Sequence, residues 1–320
     1  MGDGGTDKDM VLMNKRGFIF TTIMIVMLLL FLITFSFYSD VKERKSIQTR
    51  IETMNSFVSS LESNLPRQLK TSGFRIIFLL EKRIVEKGSY ITNLNGVFSE
   101  AFFNGTLYSE INPDVSTIMD GAKFNDIKEL MQENADKINI HLEFYDPWIN
   151  ISQADPWNMQ ILFSFNLVVK DTANLASWNR TENMSVMVPI EHFEDPMYII
   201  NTNGLVVNKI KMSPYSGFVA GSDISNLSIH SENSYYIASN SAPSFLNRLE
   251  GRNIPNTNGI ESLVNLGELS GGGISTSDKS VVDYIYFSSS DPAACNVNPS
   301  GMPSWFKLDN LHLAKYEVSC

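Results

Sequence analysis

Apolar positions fall into three successive patterns along the chain. The first is unbroken: Phe18 to Tyr38 reads FIFTTIMIVMLLLFLITFSFY and carries no charge. At ~1.5 Å of helical rise per residue this run matches a hydrocarbon core of about 30 Å, so it predicts a transmembrane helix. The apolar stretch of a cleaved secretory signal is usually about 7–15 residues and ends in small residues. This one is longer and ends in Phe37-Tyr38-Ser39-Asp40, which predicts a retained anchor.

The second pattern has helical spacing. After a charged collar from Asp40 to Lys45, apolar residues stand at Ile47, Ile51, Met54, Val58, Leu61 and Leu65. Steps alternating between four and three place them on one helix face, so the membrane helix is expected to continue into water. That face fits a core helix or a short parallel coiled coil between subunits. Pro66 is expected to end or kink the helix, with Asn64 as a cap. A second helix is predicted from Gly73 to Lys87, buried through its RIIFLLEKRIV segment and stopped by Gly88-Ser89. A short helix over Val97 to Phe103, a turn at Asn104-Gly105 and an amphipathic helix over Asp126 to Lys137 follow.

The third pattern is alternation with β-branched runs. It predicts strands at Ile138 to Phe144, Gln160 to Val169, Met184 to Ile190, Met197 to Ile200, Leu205 to Met212 and Val281 to Phe287. Short helices are expected at Ser244 to Leu249 and Gly259 to Leu266, a soft internal boundary at Asn201 to Gly204, and a flexible loop at Ser270-Gly271-Gly272-Gly273. Helices first and strands later give an α+β fold, with a long N-terminal transmembrane helix and a mainly antiparallel β domain. The predicted organisation is a leader over 1–17, a transmembrane helix over 18–38, amphipathic helices or a stalk over 39–88, and an extracytoplasmic α+β domain over 89–320. Asp-Pro recurs at Asp146-Pro147-Trp148, Asp155-Pro156-Trp157, Asp195-Pro196-Met197 and Asp291-Pro292; it reads as turns with half-buried tryptophans, with an exposed aromatic pair for sugars as the alternative reading of the repeated Asp-Pro-Trp.

Composition narrows the function classes. The chain has 43% hydrophobic residues, 19% charged residues and a net charge of -10. No cluster of Lys and Arg beyond the membrane flank is available to neutralise phosphates, so nucleic acid is not an expected partner. Lys8, Lys15 and Arg16 precede the apolar run, and Lys42, Arg44, Lys45 and Arg50 follow it, so charge alone does not orient the anchor. The two cysteines, Cys295 and Cys320, fit either a disulfide outside the cytoplasm or two free thiols, and pairing is the favoured expectation. N-x-S/T sequons at Asn104, Asn150, Asn179, Asn183 and Asn226 permit glycosylation. In a chain this rich in Asn, Ser and Thr they do not by themselves argue for it.

The junction before the anchor is more specific. Lys15-Arg16-Gly17 stands directly against Phe18-Ile19-Phe20-Thr21-Thr22. A basic pair, a glycine and a phenylalanine opening an apolar helix resemble the class III signal of type IV prepilins and archaeal pilin-like proteins. The resemblance implies that a prepilin-peptidase-like protease cuts after Gly17 and that the helix stays on the mature protein. It also implies the lipid bilayer and other pilin-like subunits as partners. The fifth position after the cut departs from the bacterial pattern, with Thr22 in place of the usual Glu, which argues against a bacterial-style filament. The leader carries Asp3, Asp7 and Asp9, unlike a basic leader, so a start at Met10 or Met13 is expected. Leu65-Pro66-Arg67, Ser72-Gly73-Phe74-Arg75, Phe103-Asn104-Gly105-Thr106, Asp155-Pro156-Trp157, Ser177-Trp178-Asn179-Arg180, Phe193 to Tyr198 and Asn201-Thr202-Asn203-Gly204 look like archaeal pilin-like membrane proteins. That wider likeness implies class and location, not an activity.

Catalytic motifs are not found. His141, His192, His230 and His312 are dispersed and lack H-E-x-x-H spacing, and two cysteines cannot alone make a structural zinc site. The triglycine lacks the Lys-Ser/Thr of a phosphate loop, and no G-x-S-x-G occurs. No catalytic residue, metal or cofactor is predicted. The leading expectation is a pilin-like surface subunit or accessory component. The alternatives are a monomeric anchored ectodomain that binds a sugar, peptide or protein, and a membrane-tethered hydrolase.

Overall fold

The computed structural model describes residues 7–109, 113–297 and 301–320; positions 1–6 of the expected leader lie outside them. One helix, α1 (Asp7–Lys87), contains both the apolar run and the amphipathic stripe. At ~1.5 Å per residue its 81 residues measure roughly 120 Å. The apolar segment has a mean hydropathy of 2.8, and none of it is buried in the chain. Met54, Val58, Leu61, Leu65, Leu69, Ile76, Ile77, Leu80 and Ile84 then turn inward and are buried.

The expected break at Pro66 does not occur, and the helix predicted separately over 73–87 is the end of α1. Proline removes one N–H, and the carbonyl it frees belongs to Glu62, in an exposed stretch with Ser63 and Asn64 where water can satisfy it. Buried Leu61, Leu65 and Leu69 hold the helix straight on either side. Gly88, at φ 61°, ends it and returns its N–H to the Ile84 carbonyl at 2.9 Å.

Three helices follow: α2 (Leu94–Asn104), α3 (Pro113–Ile118) and α4 (Phe124–Asp136). Gly105, in the left-handed region at φ 69°, closes α2 through its N–H to the Ala101 carbonyl. The main sheet is an antiparallel meander of β1 (Ile140–Asp155), β2 (Asn158–Asp171) and β3 (Ser177–Pro189), with β2 in the centre. Strand β2 alternates: Met159, Ile161, Phe163, Phe165, Leu167 and Val169 are buried against the helices, and their neighbours face outward. Asp155-Pro156-Trp157 makes the first hairpin turn, where the Asp155 carboxylate accepts the Trp157 N–H at 2.8 Å. Asp146-Pro147 forms a bulge in β1 between Tyr145 and Trp148. At the β2–β3 turn, Arg50 of α1 donates to the buried Asp171 carboxylate and to the Asn139 carbonyl, tying helix to sheet.

The rest of the chain is built from short elements: α5 (Pro196–Asn201), α6 (Ser225–Glu232), β4 (Tyr236–Ala238), α7 (Phe245–Leu249), β5 (Ile260–Ser262), α8 (Leu266–Gly271), α9 (Asp283–Tyr286), β6 (Ala294–Asn296), β7 (Lys307–Asp309) and α10 (Asn310–Leu313). They enclose a second apolar cluster that includes Leu227, Val264, Val282, Phe306 and Tyr316. Several sequence expectations are corrected in this region. Residues 197–200 are helical because Asp195 caps α5, accepting the Met197 N–H at 2.8 Å, and Pro196 opens it. Residues 205–212 form isolated bridges at Lys209 and Met212 but no strand. The helix expected over 259–266 is β5 followed by the start of α8. Val282 makes one bridge to Leu263 before the chain coils into α9, so 281–287 is not a strand. The fold is α+β, as expected, with the sheet antiparallel.

Candidate functional site

The four positions of the predicted processing junction, Lys15, Arg16, Gly17 and Phe18, follow one another on α1. A Cβ on Gly17 would meet nothing within 4 Å, and Phe18 is exposed. Thr22 donates its hydroxyl to the Phe18 carbonyl at 2.8 Å, and Thr34 does the same to Leu30 at 2.7 Å. Such back-bonding hides a hydroxyl in an apolar surface.

The sequons are spread over three places. Asn104 ends α2, and Asn226 lies in α6 with its amide donated to the Gly217 carbonyl at 3.0 Å. Asn150, Asn179 and Asn183 are outward positions of the main sheet. Asn183 lies opposite Ser164, which lies opposite Trp148. Trp148 and Tyr145 are both exposed, while Trp157 is half-buried against the core. The structure bonds Cys295 to Cys320, with Cα atoms 5.7 Å apart, as pairing required.

Two buried polar networks were not visible in the sequence. Arg248 of α7 is fully buried and contacts Asp195 at 2.5 Å and Asp283 at 2.8 Å. Tyr236 donates to Asp195 at 2.7 Å, and Ser262 donates to Asp283 at 2.9 Å. Residues of α7 belong to the first apolar cluster and residues of α9 to the second, so this network fastens the two together. Burial pushes the Asp283 carboxyl up despite the Arg248 charge beside it. In the second network, His312 shares its Nδ1 with Asp309 at 2.8 Å and faces Glu261 at 3.5 Å, while Lys315 reaches Glu261 at 2.9 Å. His312, Asp309 and Glu261 are all closed off from solvent, an arrangement suited to holding the fold. Among the described residues no group of His, Cys, Asp or Glu is arranged to hold a metal ion. His192, the only histidine set beside acids in sequence, lines the groove described next.

That groove holds a cavity of about 570 Å³ between α1 and the 191–194 segment, bordered by Lys209. Its α1 wall is Phe74, Phe78, Glu81 and Val85, spaced four, three and four residues apart. The segment expected to be wholly buried therefore has two faces. Ile76, Ile77, Leu80 and Ile84 enter the core, while Phe74, Phe78 and Val85 are each about half exposed. Phe193 forms part of the opposite wall, its ring centroid 5.0 Å from that of Phe74. Between the aromatics sits Glu81, only 6% exposed. Its carboxyl accepts the Glu194 backbone N–H, and its Oε1 is buried without a hydrogen-bond partner. Burial, reinforced by the Glu194 charge, pushes its pKa up to about 9. The signal in the sequence was a lone acid inside RIIFLLEKRIV, on the same helical face as two phenylalanines. A ligand-sized hollow that combines an aromatic wall with a buried, perturbed acid is the physical signature of a binding site. Compared with known proteins, the chain matches no family model, no curated protein and no solved structure.

Proposed function

We propose that this protein is a pilin-like surface subunit or accessory component, displayed outside the cell on a retained N-terminal helix. The observation that carries the reading is the continuity of α1. One helix runs without a break from the Lys15-Arg16-Gly17 junction through the uncharged segment and into the core of the folded domain. Cleavage after Gly17 would remove the leader and leave anchor and domain as one piece. The segment from Phe18 to Tyr38 is bare in the single chain. An apolar surface of that length needs lipid or the helices of neighbouring subunits around it. A disulfide near the chain's end supports an oxidising compartment. Thr22, already bonded to its own helix, offers no carboxylate for a neighbour's amino terminus, which favours an accessory role over a major bacterial-style pilin. The groove beside Glu81 favours a second reading, an anchored ectodomain that binds a ligand.

The decisive measurement is the mature N-terminus of native protein. Mass spectrometry should place Phe18 first, and Gly17→Val should leave the precursor uncut with its leader attached. Residues preceding Gly17 on native mature protein would overturn the pilin-like reading.

A further inference from the structure

We propose that the groove beside Glu81 binds a small organic cation, an ammonium group carried on an aromatic or aliphatic stem. The proposal rests on the groove itself and holds whether or not Gly17 is a cleavage point.

Three features select this chemistry. The first is the orphaned acceptor. Glu81 is more than nine-tenths buried, lines the groove, and leaves Oε1 without a partner. A buried polar atom without a partner is a standing cost that a donating ligand removes. The second is the wall. Phe74 and Phe78 stand half-exposed on a domain surface and Phe193 backs them. Aromatic faces attract a cation within about 6 Å and shelter an apolar stem. The third is charge. With Glu81 protonated, the lining still carries Glu86, Glu191 and Glu194 against Lys82 and Lys209, with His192 as a further titratable group. Behind it, Asp195 is neutralised by Arg248. An anion would be repelled by this balance, and a neutral ligand would gain nothing from it.

The ion-pair step is a proton exchange. In the empty groove Glu81 holds a proton, kept there by burial and by Glu194 against the opposing charge of Lys209. An arriving ammonium pairs with the carboxylate, and that proton leaves to solvent, so one proton is released for each cation bound. Affinity should therefore rise with pH, by up to about tenfold per unit while Glu81 is protonated in the free protein and the amine is still charged. The cavity, about 570 Å³, has the size of a small-molecule site.

The test uses the full chain in lipid nanodiscs and calorimetric titration with 2-phenylethylamine, 2-phenylethanol and 3-phenylpropionate. The amine should bind roughly tenfold tighter than either isostere, more tightly at pH 8 than at pH 6, with proton release read from buffers of different ionisation enthalpy. Glu81→Gln should abolish the preference for the amine and the proton release. Phe78→Ala, a change at a half-exposed position that spares the core, should weaken amine binding several-fold. It keeps the test decisive if the Glu81 variant fails to fold. Equal binding of the three ligands, no binding of the amine, or full affinity in Phe78→Ala overturns the proposal. A preference that survives Glu81→Gln overturns it as well. If the peptide acetyl-Phe-Lys-Phe-amide binds far tighter than the amine, the groove belongs to a protein partner and the small-molecule assignment falls.

Discussion

Gly73 of α1 and Ile161 of β2 meet directly: a Cβ built on the glycine would collide with the Ile161 Cδ1 and lie 3.4 Å from the Val188 Cγ2. The absence of a side chain at this one turn lets the long helix lie down on the centre of the sheet. Glycine costs a helix interior about 1 kcal/mol relative to alanine, and here the close approach is what that cost secures. Gly73→Val should destabilise the domain by about 2–3 kcal/mol through overpacking. Ile161→Ala alone should also destabilise by leaving a cavity, and the double variant should lose less stability than the two single losses added together. Urea unfolding of the two singles and the double completes the cycle; strict additivity would mean that the residues do not press on each other.

Arg248 gives the second prediction. Its guanidinium separates two buried carboxylates, and removing it leaves Asp195 and Asp283 facing one another without a counter-charge. Arg248→Met should cost about 3–5 kcal/mol. Because the network joins the two apolar clusters, hydrogen exchange should rise in α7 and α9 together. A loss below about 1 kcal/mol would show that the pairing stabilises little.

Stability should also follow pH in a defined way. Burial is the largest influence on His312 and disfavours its cation, yet hydrogen bonds and charge from Asp309 and Glu261 outweigh it and hold the pKa up to about 9. That contribution is complete below an unfolded value of ~6.5 and is lost as pH rises through about 9. Glu81, raised to about 9 from an ordinary 4.5, acts in the same direction: the fold keeps a proton that the unfolded chain releases. His230 is pushed by burial down to about 4, so its contribution is lost as pH falls from ~6.5 towards that value. Between about pH 4.5 and 6.5 Glu81 and His230 oppose each other, and above that range Glu81 and His312 add. Denaturation midpoints should therefore be flat in the first interval and fall steeply from about pH 6.5 to 9. Glu81→Gln should roughly halve the alkaline slope, and an unchanged slope would exclude Glu81 as a contributor.

For the disulfide, a sequence separation of 25 residues corresponds to about 3–4 kcal/mol in the chain-entropy model. Replacing both Cys295 and Cys320 with Ser should lower the midpoint by that order and loosen the pairing of β6 with β7 first, since Cys295 lies opposite Leu308. Reductant should then have no effect on the variant. Protein whose thiols label equally with and without reductant would show that the bond does not form.

Legibility in the sequence depended on how local each cause was. The uncharged run and the stripe from Met54 to Leu65 are periodic over many residues, so α1 could be read directly. The strands around Gln160 and Met184 could be read from their alternation. Pro66 misled because its effect depends on what lies opposite the freed carbonyl, which only tertiary packing decides. The errors after residue 196 have one origin: elements of three to six residues are too short for a period, and Asp-Pro can open either a turn or a helix. The groove was half legible. The apolar segment that carries Glu81 was read as buried without singling out its acid, and the isolation of that acid is set by the 191–194 segment more than a hundred positions away. The Arg248 network joins five separate segments and left no local trace.

The undivided helix also makes the molecule a lever. From Ser39 to Lys87 α1 would extend about 75 Å beyond a bilayer holding the apolar segment. A transmembrane tilt of about 20°, ordinary for such helices, would then swing its far end sideways by roughly 25 Å, with no hinge between to absorb the motion. The reverse would also hold: with the apolar segment in lipid, a ligand held in the groove beside Glu81, near the tip, would gain the full length of that arm over the orientation of the segment.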